Sequence, residues 1–288
     1  MANPILRQKL AQGEFFVIPG LQDMIAAVVA NKVGFDIVYG SGYWLTASAL
    51  GLPDAGLASY TQFLDRMATL VQTANAAVIA DADTGFGGLL NVAHTVRGYE
   101  RAGVTAIQLE DQVFPKKCGH TPYKRCVPVS EMVDKIQVAA ETRQDKENFL
   151  IIARTDARAA DGVDAALRRL EAYDQAGADI LFFEAPHAED EMRLACRSFT
   201  KPMMANMSNG GKTPMLPAAT LADIGYAFAI YPAMTSLVAA AAMEQSLRLL
   251  KSRGVAQSPE LPMFDFSEFC GLIGFQDVWD FEERWSRQ

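Results

Sequence analysis

The sequence predicts a (β/α)8 barrel of the mixed α/β class, with residues 1–288 forming one domain. Short apolar, β-branched or aromatic runs recur along the chain, and each is followed by a longer stretch whose apolar residues have helical spacing. There are eight such runs, and no Pro/Ser-rich linker divides them. A doubly wound open sheet is the alternative, but the turn after the first run, FFVIPGLQD, lacks the glycine-rich phosphate pattern of that fold.

The predicted strands are, in chain order, FFVIPG, DIVYGSG, AAVIADADTG, AIQLEDQ, LIIARTDA, ILFFEAP, MMANMS and YAFAIYP. Helices are predicted between them: one from Leu21, then 59–73, 91–101, 130–143, 163–175 and 190–197, a short one around Asp223, and 236–251. Gly103, Gly177 and Gly254 mark helix ends, because a left-handed cap suits a residue without Cβ.

Composition and charge narrow the range of partners. Hydrophobic residues make up 50% of the chain and charged residues 21%, which excludes native disorder. The formal net charge of −8 makes nucleic acids and anionic membranes unfavourable partners, whereas an anionic small molecule would need local cations or a metal. No signal peptide and no apolar run of about 18 residues is present, so we expect a cytoplasmic protein with no membrane partner.

Polar and ionisable residues recur at the carboxyl ends of the predicted strands, which form the active-site face of a barrel. They are Ser41, Tyr43, Asp81, Asp83, Glu110, Asp111, Arg154, Asp156, Glu184, Asn206 and Ser208. Three carboxylates on adjacent strands, those of Asp81, Asp83 and Glu110, would repel one another without a cation or shared protons. Oxygen-only ligands favour Mg²⁺ or Mn²⁺. The alternative is a structural network in which these acids pair with Arg154 or with lysines.

A long polar segment, QVFPKKCGHTPYKRC, follows the fourth strand and is too broken for a helix. We call residues 112–126 the mouth loop and expect it to cover the barrel mouth as a lid. Its positive side chains could attract anionic groups: Lys116, Lys117, His120, Lys124 and Arg125. Cys118 could donate a proton or act as a nucleophile, and its cationic neighbours are expected to lower its pKa.

The tail after the eighth unit, residues 255–288, is unusually aromatic. Its aromatic residues are Phe264, Phe266, Phe269, Phe275, Trp279, Phe281 and Trp285. Such a segment must bury itself on its own barrel or on a neighbouring subunit, so it is expected to form an interface.

Six segments together resemble the isocitrate lyase and phosphoenolpyruvate mutase superfamily: SGYWLTASALGLPDAG, DADTGFGG, IQLEDQVFPKKCGH, ARTDA, FFEAP and ANMSNGGKTP. The KKCGH element resembles the branch that cleaves carbon–carbon bonds. The resemblance implies an Mg²⁺-dependent lyase that converts a 2-hydroxy di- or tricarboxylate into a 2-oxo acid and a carboxylate by retro-aldol cleavage. Candidate substrates are 2,3-dimethylmalate, 2-methylmalate and methylisocitrate. The alternatives are a hydrolase or decarboxylase that acts on oxaloacetate, and a non-catalytic oligomeric barrel that binds small carboxylates.

The resemblance also implies a ligand set. Asp81 would bind Mg²⁺ directly, and Asp54, Asp83 and Glu110 would hold its waters. The backbone of Ser41, Gly42 and Tyr43 would bind the carboxylate of the 2-oxo acid half. The remaining substrate-binding candidates, several of them at strand ends or in the mouth loop, are Asp83, Lys117, Gly119, His120, Arg154, Glu184, Asn206 and Ser208.

For catalysis, the resemblance implies that Arg154 stabilises developing charge and that Cys118 protonates the departing carbanion. Tyr39 and Tyr43 are the candidate bases, although their pKa would have to fall considerably from about 10. Tyr43 also favours a smaller, less carboxylated substrate, and Pro232 lowers the expectation of oxaloacetate hydrolysis. The family's last helix is exchanged between subunits of a homotetramer, a dimer of dimers, and the aromatic tail agrees with this.

Overall fold

Eight parallel strands close into a barrel in chain order, as predicted. The structure is a computed structural model that describes residues 2–286. The strands are β1 Phe16–Leu21, β2 Ile37–Gly40, β3 Ala77–Asp81, β4 Ala106–Glu110, β5 Leu150–Thr155, β6 Ile180–Phe183, β7 Met203–Asn206 and β8 Phe228–Tyr231. β1 pairs with both β2 and β8, which closes the ring. The ends of the predicted domain, Met1, Arg287 and Gln288, lie outside the described residues.

Helices surround the barrel: α1 Ile5–Gln12, α2 Met24–Val33, α3 Gly42–Leu50, α4 Tyr60–Thr73, α5 Leu89–Arg101, α6 Val129–Thr142, α7 Arg158–Asp161, α8 Val163–Gln175, α9 Glu189–Ser198, α10 Ala218–Ile224, α11 Met234–Arg253, α12 Phe266–Leu272 and α13 Phe275–Trp285. The eight predicted helices are confirmed, with ends shifted by a few residues. The helix expected from Leu21 begins at Met24, because β1 continues to Leu21 and Asp23 caps the helix through the Ala26 N–H. The strand-and-helix alternation did not reveal α1, α3, α7, α12 or α13.

Side chains on alternate strand positions fill the barrel interior, as the two-residue period of a strand requires. Ile18, Ile79, Ile152, Phe182 and Phe228 are almost fully buried in this inner cluster. Leu6 of α1 is buried among them, so α1 packs against the interior cluster. A second, larger cluster joins the outer strand faces to the surrounding helices. The apolar packing therefore lies beneath the strand ends and supports the polar residues there.

The aromatic tail leaves the barrel after α11. α12 packs against α2, where Lys32 pairs with Glu268 and lies 5.2 Å from the Phe264 ring centroid. α13 has no buried residue, and Phe281 and Trp285 are 64% and 65% exposed. Within residues 2–286, no helix is long and apolar enough to cross a membrane.

Candidate active site

A cavity of about 300 Å³ opens at the carboxyl ends of the strands, under the mouth loop. The predicted site residues that line it are Tyr39, Ser41, Tyr43, Asp54, Asp81, Cys118, Gly119, His120, Arg154, Glu184, Asn206 and Ser208. Gly42, Asp83 and Glu110 lie directly behind that lining and contact it, as described below. Lys117 is exposed outside the cavity, with its ammonium 6.0 Å from the Tyr123 ring centroid, so the structure does not bring this predicted substrate-binding residue to the other site residues.

Asp81 ends β3, and backbone groups fix its carboxylate. Oδ1 accepts a hydrogen bond from the Asp83 N–H at 3.0 Å, and Oδ2 accepts one from the Gly42 N–H at 3.3 Å. Gly42 begins α3, and a Cβ there would lie 2.8 Å from Asp81 Oδ2 and 2.7 Å from the Phe63 ring. Only glycine permits this approach, which brings the amino end of α3 against the carboxylate.

Lys116 lies between two of the predicted acidic residues. Its Nζ is 2.7 Å from Asp54 Oδ1 and 2.8 Å from Asp83 Oδ1, and the three side chains are almost completely buried. Burial raises the pKa of Asp83 to about 7, against the influence of Lys116. Burial favours neutral Lys116, but the carboxylates of Asp83 and Glu110 outweigh it and raise the Lys116 pKa well above its ordinary value. Lys116 therefore remains a cation within the acidic cluster, which is formed by Asp54, Asp81, Asp83 and Glu110.

Glu110 is fully buried at the end of β4. Within residues 2–286, neither of its carboxylate oxygens accepts a hydrogen bond, although Oε2 lies 3.2 Å from Arg154 Nη1. Burial raises the Glu110 pKa well above its ordinary value, and Arg154 opposes this. A buried carboxylate with free acceptor capacity is suited to the water shell of a bound cation.

The acidic cluster fits a hydrated Mg²⁺ or Mn²⁺. Its donors are carboxylate oxygens, which these cations prefer. Among the described residues, no three His, Cys, Asp or Glu side chains converge closely enough to ligate one ion together. Magnesium typically takes one or two carboxylates and keeps several waters, so one direct ligand with further acids behind the waters matches this arrangement.

Arg154 is the penultimate residue of β5 and is held in a fixed orientation. Its Nε donates to Asp156 Oδ2 at 2.9 Å and its Nη2 donates to Asp156 Oδ1 at 3.0 Å. The guanidinium also lies 5.3 Å from the Phe182 ring centroid. Burial favours neutral Arg154, but Asp156, Glu110 and Glu184 raise its pKa well above the ordinary value. The cavity therefore has a permanent planar cation suited to a carboxylate.

Glu184 after β6, Asn206 at the end of β7 and His120 of the mouth loop form a hydrogen-bonded group. His120 Nε2 lies 2.9 Å from Glu184 Oε1, and Asn206 Nδ2 donates to Glu184 Oε2 at 3.2 Å. The Lys212 N–H donates to His120 Nδ1 at 3.1 Å, so Nδ1 is an acceptor and the proton of neutral His120 lies on Nε2. Burial raises the Glu184 pKa, but Arg154 and the His120 hydrogen bond outweigh it and lower that pKa to about 2.

Cys118 lines the cavity from the mouth loop, which contains no helix, as predicted. Burial raises its pKa above the ordinary 9.0. The expectation that cationic neighbours lower this pKa is wrong, because Lys116 is paired with Asp54 and Asp83 and Lys117 is exposed to solvent. A protonated thiol at neutral pH is suited to proton donation rather than to nucleophilic attack.

The structure does not favour either tyrosine as a base. Burial and the charge of Asp81 raise the Tyr39 pKa well above 10.0, and the Tyr39 hydroxyl donates to Gln108 Oε1 at 2.9 Å. Burial and Cys118 also raise the Tyr43 pKa. The required fall in pKa is therefore absent at both positions.

Sequence reasoning did not assign two parts of the site. One is Lys116, which was recognised only as part of a positive patch in the mouth loop. The other is an apolar wall formed by Trp44, Phe182, Ile230, Pro232 and Leu237. Leu237 comes from α11 and Trp44 from α3, so only the tertiary path of the chain brings them to the cavity.

The whole chain has known relatives. A family model described as phosphoenolpyruvate phosphomutase matches residues 6–251. The 2,3-dimethylmalate lyase of Eubacterium barkeri is 44% identical, with 98% of this chain and 97% of that protein covered. The 2-methylisocitrate lyase of Halalkalibacterium halodurans is 41% identical, with 94% and 89% covered.

Two solved structures extend the comparison. Oxaloacetate acetylhydrolase in complex with 3,3-difluorooxalacetate has a TM-score of 0.91 and 31% identity, with 96% of this chain and 95% of that chain covered. Phosphonopyruvate hydrolase in complex with oxalate and Mg²⁺ has a TM-score of 0.88 and 30% identity, with 99% of both chains covered. The predicted superfamily and the predicted lyase class are confirmed by these relatives.

Proposed function

This chain belongs to the phosphoenolpyruvate phosphomutase family, and we propose that it cleaves a 2-alkylmalate, such as 2,3-dimethylmalate, into pyruvate and a simple carboxylate with the help of Mg²⁺ or Mn²⁺. The observation that supports this proposal most is one small cavity lined by Asp81 of the acidic cluster, the cation Arg154 and the protonated thiol Cys118. A retro-aldol cleavage requires all three functions. The 44% identity with a 2,3-dimethylmalate lyase agrees with it.

The shape and polarity of the cavity favour a compact dicarboxylate. A volume of about 300 Å³ is at the lower end of the range for small-molecule sites. The apolar wall suits alkyl substituents, whereas a third carboxylate placed against it would lose its hydration without gaining partners. We therefore favour a substituted malate over the tricarboxylate methylisocitrate.

Binding follows from the fixed groups of the site. When bound, the divalent cation would act as a Lewis acid toward the substrate's hydroxyl and carboxylate oxygens. Asp81 would hold it directly, and Asp54, Asp83 and Glu110 would hold it through water. The amino end of α3, at Ser41, Gly42 and Tyr43, would receive the carboxylate of the 2-oxo acid half, because a helix amino end presents N–H groups and a positive dipole. The Gly42 N–H also donates to Asp81 Oδ2 and so places that helix end beside the expected cation.

The bond changes can then be assigned. The substrate hydroxyl at C2 gives its proton to solvent water, the C2–C3 bond breaks, and its electron pair passes into the carboxylate on C3 as an enediolate. C2 becomes the carbonyl of the 2-oxo acid. Arg154 stabilises the developing negative charge, and the Cys118 thiol donates its proton to C3. Solvent water returns a proton to the Cys118 thiolate after the reaction. His120 and Asn206, both held by Glu184, orient the second carboxylate product.

The test is a coupled 2-oxo acid assay with a panel of malate, 2-methylmalate, 2,3-dimethylmalate, methylisocitrate and oxaloacetate, each with and without Mg²⁺. We expect 2,3-dimethylmalate or 2-methylmalate to give the highest kcat/KM. Higher turnover of methylisocitrate would contradict the substrate assignment. Absence of turnover of every 2-hydroxy acid, with tight binding of 2-oxo acids, would instead indicate a carboxylate-binding protein.

Hydrolysis of oxaloacetate is the second candidate, because an oxaloacetate acetylhydrolase matches the fold with a TM-score of 0.91. It would release oxalate and acetate rather than a 2-oxo acid. Product analysis by chromatography distinguishes the two reactions.

We also propose that the protein is a homotetramer in which α13 packs on a neighbouring subunit. α13 buries none of its residues on its own chain, and four of its aromatic side chains are at least 40% exposed: Phe275, Trp279, Phe281 and Trp285. Contiguous apolar surface of this kind is typical of an interface.

A further inference from the structure

The mouth loop contains a second buried lysine that the proposed reaction does not use. Only 2% of the Lys124 side chain is exposed. Its Nζ lies 3.1 Å from Asp156 Oδ1 and also donates a hydrogen bond to the Gly119 carbonyl oxygen. One ammonium group thus connects the loop to the end of β5 and crosses the loop to the residue that follows Cys118.

Asp156 belongs to the barrel rather than to the loop. Both of its carboxylate oxygens accept hydrogen bonds from Arg154, and its N–H donates to Asp111 Oδ1 at 2.9 Å. Asp111 is itself fixed, because its Oδ2 accepts from the Thr155 hydroxyl at 2.7 Å and from the Tyr173 hydroxyl at 2.8 Å. The carboxylate that orients Arg154 is therefore rigid before the loop closes on it.

We propose that Lys124 and Asp156 are positioning residues that hold the mouth loop closed and place Cys118 opposite Arg154. This proposal rests on the proposed function, because it assumes that Cys118 and Arg154 act in the same reaction. Lys124 acts on Cys118 through the Gly119 peptide, and Asp156 acts on the substrate through Arg154. Closing the loop and orienting the guanidinium thus depend on the same carboxylate.

Burial explains why this contact can control closure. A buried ammonium is stable only beside a carboxylate, so Lys124 enters its position when Asp156 is correctly oriented. Withdrawal of Lys124 leaves Asp156 Oδ1 with Arg154 alone and frees the Gly119 carbonyl. Lys116 and His120 also attach the loop, through Asp54 and Asp83 and through Glu184 and the Lys212 N–H, and Glu184 Oε2 lies 3.8 Å from Arg154 Nε. The Lys124 contact differs from these because it reaches Asp156, the carboxylate that accepts hydrogen bonds from Arg154 Nε and Nη2.

The experiment compares Lys124→Met, which removes the ammonium and keeps the chain length, with Arg125→Met as the matched control. Arg125 is the adjacent residue, and it is exposed. Hydrogen–deuterium exchange of residues 113–125, measured by mass spectrometry in the full-length protein, reports loop opening directly. We expect exchange in Lys124→Met to be faster by about tenfold or more, with Arg125→Met unchanged, because local opening governs exchange of such a segment. Equal exchange in Lys124→Met and the wild type would overturn the proposal.

Kinetics with 2,3-dimethylmalate and Mg²⁺ separate the two residues. In Lys124→Met, Arg154 keeps its partner, so we expect kcat to fall about tenfold or more while KM changes less than about threefold. Asp156→Asn should lower kcat and also raise KM, because Arg154 loses its charged partner. Wild-type kcat in Lys124→Met would overturn the assignment. If Asp156→Asn fails to fold, Lys124→Met alone still tests the proposal. If the wild type does not turn over 2,3-dimethylmalate, the proposed function is contradicted, and the exchange measurement still tests whether Lys124 holds the loop closed.

Discussion

An added methyl group at Gly119 would test whether the mouth loop closes directly on the reacting groups. A Cβ at this position would lie 2.3 Å from Arg154 Nη2 and 2.7 Å from Glu184 Cγ, whereas ordinary van der Waals contact begins near 3.4 Å. The overlap with the guanidinium is therefore about 1 Å. Gly119→Ala must displace either Arg154 or the loop by that amount.

Neither displacement is easy to accommodate. Arg154 is fixed by two hydrogen bonds to Asp156 and by the stacked ring of Phe182, so its guanidinium cannot move without losing them. If the loop moves instead, Cys118 moves with it. A misplacement of about 1 Å can cost about a hundredfold in rate, so we expect kcat/KM to fall by about a hundredfold, or about 2.7 kcal/mol of activation free energy.

The control is Gly88→Ala, where an added Cβ would meet no atom within 4 Å and φ is −80°. The measurements are kcat/KM with 2,3-dimethylmalate and the thermal midpoint Tm. Because a surface loop can open without unfolding the barrel, Tm of Gly119→Ala should stay close to the wild-type value while activity is lost. If Gly119→Ala retains wild-type kcat/KM within about threefold, the loop does not close on Arg154 during the reaction.

Four further predictions concern the site and α13. Cys118→Ser should lower kcat by about a hundredfold or more with little change in Tm, since a hydroxyl is a much weaker proton donor, and an unchanged kcat would remove Cys118 from the reaction. The Cys118 thiol must be protonated to act, and burial raises its pKa above 9.0, so kcat should decline with rising pH only above pH 9.0. A decline in kcat as the pH rises through neutrality would contradict the role of Cys118 as the acid. EDTA should abolish turnover, and Mg²⁺ should restore it. Mg²⁺ should also raise Tm, because a ligand that binds the native state stabilises that state, whereas Asp81→Ala should show no Mg²⁺-dependent rise in Tm. Replacing Phe281 and Trp285 of α13 by Asp should reduce the mass measured by light scattering, with the exposed Glu283→Gln as the control, and an unchanged mass would exclude α13 from the interface.

The strand-end residues could be predicted from sequence because the barrel imposes a simple rule. Parallel strands end at the same mouth, so any polar residue immediately after a buried run must lie there. Asp81, Arg154 and Glu184 follow this rule, and all three line the cavity. The same rule placed Asn206 and Ser41 correctly. Register alone was enough for these residues, and no knowledge of side-chain packing was needed.

Residues that reach the site from loops or distant helices do not follow that rule. Lys116 and Lys117 are adjacent in sequence and chemically identical, yet Lys116 is buried between two carboxylates and Lys117 is exposed. Their difference arises from the backbone path of the mouth loop, where the Gln112 side chain bonds to the Lys117 N–H and carbonyl. A contact inside an irregular loop leaves no periodic signal in the sequence. The helix α3 was missed for a related reason: apolar residues lie all around it, so its segment lacks the one-sided pattern of a surface helix.

The charge balance of the cavity connects these loop residues to the metal expected from the strand ends. The buried carboxylates around the cavity are Asp54, Asp81, Asp83, Glu110, Asp156 and Glu184, and the permanent cations beside them are Lys116, Lys124 and Arg154. Among these groups the acids outnumber the cations. The excess negative charge lies on the side of Asp81, Asp83 and Glu110, because Arg154 and Lys124 both pair with Asp156. Burial raises the pKa of Asp83 and Glu110, and repulsion from the Asp81 carboxylate raises both pKa values further. A divalent cation at Asp81 would relieve this repulsion without protonation, because Lys116 is already engaged by Asp54 and Asp83, and Lys124 by Asp156 and the Gly119 carbonyl oxygen.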